Sequence, residues 1–281
     1  MTRAWLIVGC GYTGTQLART LVARPELAAE VTITRRDREV ARALGAALQV
    51  RGVRADLAEP GALDVSPGAI VVCTAPPGKD PAGEIARLVA ASRAAARIVY
   101  VSSTGVYGPG GGAWVDESWP IAPITESGRA RAAAEAALAD ATVPWVALRA
   151  AGIYGPGRGL VDRIRAGTYR VIGDGASHVG RIHVVDLVEA IVRAGTAAIT
   201  GPINAADDDP APIGEVADTV AARLGLPPPP RVPAAQVSPE VAGMLTADRR
   251  IANRRLRDEL GVVLRYPSWR DALDAELATA P

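Results

Sequence analysis

A chain of 281 residues that is 49% hydrophobic is long enough for one large core or two modest ones. Its 31 basic and 30 acidic residues leave a formal charge of +1, which gives no electrostatic basis for a nucleic-acid partner. No run of 18 apolar residues and no signal-like leader occurs, so no membrane partner is expected and the expected location is cytoplasmic.

An apolar run at 4–8 reads as the first strand, and a helical pattern follows over 12–23. Between them stands Gly9-Cys10-Gly11-Tyr12-Thr13-Gly14. A strand, this spacing of glycines and a helix together form a dinucleotide-binding turn: the first glycine turns the chain, the second lets a pyrophosphate approach, and the third packs helix on strand. The helix N-terminus then faces the phosphates, with Tyr12 and Thr13 in its first turn. The second strand, at 31–34, runs into Arg35-Arg36 where an NAD-selective turn places a carboxylate. Two guanidiniums there match the oxygens of a 2′-phosphate, so NADP(H) is expected in preference to NAD(H).

Further strands are expected at 48–51, 69–74, 97–102 and 145–149, with helices at 38–44, 81–95 and 127–140. Alternation of this kind implies an α/β fold, a Rossmann-like doubly wound parallel sheet covered on both faces. Ligands of such sheets lie beyond the carboxyl ends of the strands, which singles out Asp56-Leu57, Ala75-Pro76 and Ser102-Ser103. Cys10 and Cys73 fall in the loop and in a buried strand, poor places for a disulfide framework, and fit a reducing compartment.

Beyond 149 the chain turns glycine- and proline-rich. A helix is expected at 185–194, an extended connector at the prolines 227–230, and mostly helix from 239 to 280. The domain expectation is a cofactor-binding domain at 1–155, to which the chain returns around 182–210. A smaller C-terminal substrate lobe comprises 156–181 and 211–281. The two histidines and two cysteines offer no metal-ligand spacing, so no metal is expected.

Several strings resemble the extended or atypical short-chain dehydrogenase/reductases, the NAD(P)-dependent epimerase/dehydratase superfamily that includes the YeeZ-like group. They are the glycine loop, Asp56-Leu57, the segment from Val101 to Gly108, the segment from Leu148 to Gly157, Arg181-Ile182-His183-Val184-Val185-Asp186, and Asn204 to Asp208. The resemblance assigns Ser103 to the family's catalytic Ser/Thr. It also implies that the family's Tyr and Lys are replaced by Ser127 and Arg131, four apart and so on one helix face. A serine hydroxyl is far less acidic than a phenol, and an arginine holds ribose hydroxyls without releasing its proton.

Other candidate proton donors are Tyr107, Tyr154, His178 and His183, the last read as a structural ring. Tyr154, His178 and Arg181 are the candidate substrate contacts, Arg181 because it resembles a position that meets a substrate phosphate or carboxylate. The expected activity is NADPH-dependent reduction of a C=O, C=N or activated C=C bond of a small metabolite. A catalytically silent NADP(H) sensor and a nucleotide-sugar epimerase/dehydratase are the alternatives. The resemblance also allows a homodimer through the helix at 127–140.

Overall fold

The computed structural model describes residues 2–278. Seven parallel strands form one sheet in the order β3-β2-β1-β4-β5-β6-β7. They are β1 Arg3–Val8, β2 Ala28–Arg35, β3 Arg51–Arg54, β4 Ile70–Cys73, β5 Arg97–Ser103, β6 Trp145–Ala150 and β7 Gly201–Ala205. The order reverses between β1 and β4, the place where a doubly wound sheet opens a ligand crevice. Period-two alternation sends Trp5 and Ile7 into a core under α1 (Tyr12–Ala23) and α6 (Val184–Thr196). Leu6 and Val8 point to the other face, under α3 (Pro81–Ala91) and α4 (Glu126–Leu138). Helix α2 (Arg38–Leu48) lies beside β3, and α5 is Leu160–Arg165. A third apolar cluster gathers α5, α7 (Ile213–Arg223) and α9 (Trp269–Ala278) around Tyr169, Val216 and Trp269.

Three expectations change. Helix α2 runs through Leu48 and ends on Gln49 at φ 58°, so β3 begins three residues later than expected. The apolar Leu48 belongs to the helix's buried face, not to a strand. Helix α3 stops at Ala91, where the Ser92 hydroxyl turns back to the Leu88 carbonyl. Strand β7 was not among the expected strands because it begins Gly-Pro, a pair that a sheet accepts only at an edge, which is where it lies. The region from 239 is mostly helical, as expected, but in separate pieces. Helix α8 (Pro239–Leu245), a π-helical segment at Arg255–Glu259 and α9 are separated by irregular and extended chain, and residues 279–280 of the expected helix lie outside the described residues. Short ladders tie this region back: Arg250–Ile251 pairs with Trp114–Val115, and Arg231–Val232, directly after the prolines, pairs with Val171–Ile172. No helix among the described residues is long and apolar enough to cross a membrane.

Candidate active site at the carboxyl edge of the sheet

The three glycines of the first turn do three different things. Gly9 has φ +79°, and a Cβ there would lie 2.5 Å from the Ala75 Cβ, so neither its conformation nor its space admits a side chain. Gly11 is open: a Cβ there would meet nothing closer than 3.9 Å, which leaves the backbone exposed to a ligand. Gly14 is tight, since a Cβ would meet Thr74 Oγ1 at 3.0 Å and Ile7 Cγ2 at 3.2 Å. The loop is pinned from beneath: the Gly9 amide donates to Thr34 Oγ1 at 3.1 Å, and Thr74 Oγ1 donates to the Gly9 carbonyl at 2.8 Å. Gly11 is the N-cap of α1 and offers no side-chain cap, so the first-turn amides are left for an anion. This cradle fits a dinucleotide pyrophosphate. Thr13 is buried behind it, and the Tyr12 hydroxyl donates to the Pro156 carbonyl at 3.1 Å. That bond brings the exposed Arg158 guanidinium over the Tyr12 ring, 5.4 Å from its centroid, a neighbour of the cofactor loop that sequence reading missed.

Arg35 and Arg36 both stand at the end of β2, but they are used differently. Arg35 is half-buried and donates to the Cys10 carbonyl at 2.9 Å, bracing the glycine loop, whereas Arg36 is exposed. The adjacent acid, Asp37, is occupied as the N-cap of α2, its Oδ1 accepting from the Val40 amide at 2.9 Å. Asp56 folds its carboxylate onto the Ala58 amide at 3.0 Å, and the Leu57 carbonyl accepts from Arg87 Nε at 2.6 Å. Ala75 lies against Gly9 and Pro76 is exposed.

Across the crevice, β5 ends at Ser103, whose Oγ accepts from the Gly105 amide at 3.0 Å and keeps its own proton free to donate. Helix α4 meets this turn at Gly128, where a Cβ would lie 2.3 Å from the Gly105 carbonyl oxygen. The turn that carries Ser103 thus packs on α4 between Ser127 and Arg131, which are one turn apart. Arg131 Nη1 donates to the Val101 carbonyl at 2.5 Å and to the Tyr100 hydroxyl at 3.1 Å. The exposed Ser127 hydroxyl donates to Glu240 Oε1, and Glu240 Oε2 accepts from the Glu126 amide at 3.0 Å. Glu240 comes from α8 and had no local sequence signal as a site residue.

The remaining candidates are engaged elsewhere. Tyr107 is fully buried, its hydroxyl donating to Asn204 Oδ1 at 2.7 Å and accepting from Arg149 Nη1 at 2.9 Å. Burial pushes its pKa up to about 12, so the expected role of Tyr107 as proton donor does not fit this placement. Both ring nitrogens of His178 are engaged: Nδ1 lies 2.8 Å from Asp248 Oδ1 and Nε2 3.0 Å from Arg250 Nη2. Arg250 can only donate, which fixes Nε2 as the acceptor. His183 caps α6 through Nδ1, accepting from the Val185 amide at 3.2 Å, and burial with Arg265 nearby lowers its pKa to about 4. Arg181 is buried, with Nη1 on the Val179 carbonyl at 2.7 Å, while its Nη2, the Tyr154 hydroxyl and Asp207 Oδ2 are buried without a hydrogen-bond partner. Burial raises the pKa of both Tyr154 and Asp207. A groove of about 490 Å³ between α1 and α2, lined by Pro25, Gln49 and Arg51, lies at the opposite edge of the sheet, away from these residues.

Residues 5–206 match the model of the NAD dependent epimerase/dehydratase family. A 3-diazoavenalumate denitrifying reductase from a Streptomyces species is 36% identical over 210 residues, which span 68% of this chain and 69% of that one. A functionally unknown conserved protein from Silicibacter pomeroyi superposes with a TM-score of 0.84 at 30% identity, covering 99% of both chains. The human epimerase family protein SDR39U1, solved with NADPH, gives 0.78 at 21% identity over 98% of this chain and 100% of that one. With the doubly wound sheet, the uncapped glycine turn and the serine-bearing strand end in place, the chain belongs to the NAD dependent epimerase/dehydratase family.

Proposed function

We propose that the protein is an NADPH-dependent reductase of a C=N, C=O or activated C=C bond in a small metabolite, and that activation of this bond comes from the acceptor and not from a tyrosine acid. The observation that carries this reading is the pair Ser127 and Arg131 on the helix that packs against the Ser103 turn, with the serine held by Glu240 and the arginine turned onto β5. Gly9, Gly11 and Gly14 would hold the pyrophosphate, Arg35 and Arg36 the 2′-phosphate, and Arg131 the nicotinamide ribose. Bound there, the reduced dinucleotide supplies a hydride, and addition to an iminium gives the amine with no proton required. Ser103 orients the acceptor by donating its free hydroxyl proton to it.

The name of the Streptomyces relative, a denitrifying reductase of a diazo compound, supports reduction of an electron-poor nitrogen group. In this reading residues 1–155 and 182–210 carry the cofactor, and 156–181 and 211–281 shape the substrate side. The free, buried thiols of Cys10 and Cys73 fit a reducing cytoplasm.

The test is NADPH oxidation against a panel of cyclic iminium ions, aryl aldehydes, enones and nucleotide sugars. Turnover of an iminium above the matched aldehyde is expected. Tight NADPH binding with no turnover across the panel would favour a silent sensor. Copurified NAD+ with interconversion of a nucleotide sugar would replace the reductase reading altogether.

A further inference from the structure

We propose that Glu240 is the counter-ion for a cationic acceptor and makes the mouth of the crevice selective for organic cations such as iminium or diazonium ions over neutral carbonyls. The proposal rests on the reductase reading above and adds to it the charge of the substrate.

Three observations carry it. First, the Glu240 carboxylate is fixed by neutral donors only, the Ser127 hydroxyl and the Glu126 amide, and makes no ion pair among the described residues. Arg131, one turn on from Ser127, makes no ion pair with Glu240 and directs its Nη1 to the Val101 carbonyl and the Tyr100 hydroxyl. Second, the carboxylate sits at the N-terminal end of the 13-residue α4, held there by the first-turn Glu126 amide and the Ser127 hydroxyl. Third, exposed apolar side chains stand on the same short helix and on the segment it packs against. Val241 and Met244 on α8 are exposed, as is Ile124, which a Cβ on Gly243 would meet at 3.6 Å. An anchored carboxylate bonded to Ser127, with exposed apolar side chains on its own helix, has the chemistry to hold an organic cation. For a diazonium the balance closes without an acid: R–N₂⁺ gains hydride, N₂ leaves, and R–H and the oxidised dinucleotide remain.

The experiment is calorimetric titration of the NADP+-saturated protein with benzyltrimethylammonium, which cannot accept hydride, and with the neutral benzyldimethylcarbinol. The parent should bind the cation at least about tenfold more tightly than the alcohol. Glu240→Gln should remove that preference while leaving NADPH and alcohol affinity unchanged. Ser127→Ala keeps the charge and should keep the preference. Equal binding of the two probes by the parent, survival of the preference in Glu240→Gln, or its loss in Ser127→Ala would each overturn the proposal. Failure of the parent to bind either NADPH or NADP+ would instead defeat the reductase reading on which it rests.

Discussion

Arg35 and Arg36 are neighbours in sequence with separable effects on the cofactor. A charge-assisted hydrogen bond to a phosphate contributes about 1.5–3 kcal/mol, so Arg36→Ala should weaken NADPH about ten- to a hundredfold and leave NADH unchanged. Arg35→Ala also removes the brace on the Cys10 carbonyl and should weaken both dinucleotides. Fluorescence titration of the two cofactors separates these outcomes, and an equal loss of NADH in Arg36→Ala would deny that residue a 2′-phosphate. Both arginines were legible in the sequence because the glycine turn and the strand after it are local. Glu240 was not, because its partner Ser127 is 113 positions away and nothing in α8 announces the contact. Tyr107 misled for a related reason: its place beside Ser103 is local, but the Arg149 and Asn204 side chains that bury its hydroxyl arrive from β6 and β7.

At the scale of elements, strands buried on both faces were readable as apolar runs, whereas the edge strand β7 and the boundary between α2 and β3 depend on tertiary neighbours. Gly45 shows the latter, since a Cβ there would lie 2.6 Å from the Gly52 amide nitrogen, so helix and strand meet at two glycines whose partnership has no local pattern. The start of α6 has a pH dependence of its own. His183 holds its pKa near 4, below its usual 6.5, because it is buried and lies near the Arg265 charge. Above pH 6.5 the neutral ring is present in both folded and unfolded chains and its full contribution is felt. As the pH falls towards 4 the unfolded chain takes up the proton first, and about 3 kcal/mol of stability is lost. Asparagine preserves an N-cap acceptor without titrating there, so His183→Asn should flatten the urea midpoint between pH 7 and pH 4. An unchanged pH profile in that variant would assign the acid sensitivity to other groups.

Across the whole molecule, a hydrogen-bond network built on one buried ion pair joins segments that are far apart in the chain. Arg149 on β6 binds Glu135 of α4 at 2.7 Å, and both are largely buried. Glu135 also accepts from Ser102, Arg149 reaches the Tyr107 hydroxyl, and Asn204 on β7 carries the network to the Val115 and Ala252 carbonyls. The network therefore ties the Ser103 end of the sheet to the segments around 115 and 252. Removing one charge strands the other in a dry site, which costs about 3–5 kcal/mol, whereas replacing both with apolar groups can be nearly neutral. Arg149→Met should accordingly lower the unfolding free energy by that amount, and Arg149→Met with Glu135→Leu should recover a large part of it. The folded fraction of either variant should still bind NADPH, because the glycine cradle is pinned by Thr34 and Thr74 and not by this pair. Urea unfolding of the parent, both single variants and the double variant gives the coupling energy directly. Additive losses would show that the pair acts as two independent hydrogen-bonding groups and that its burial does not couple α4 to the sheet.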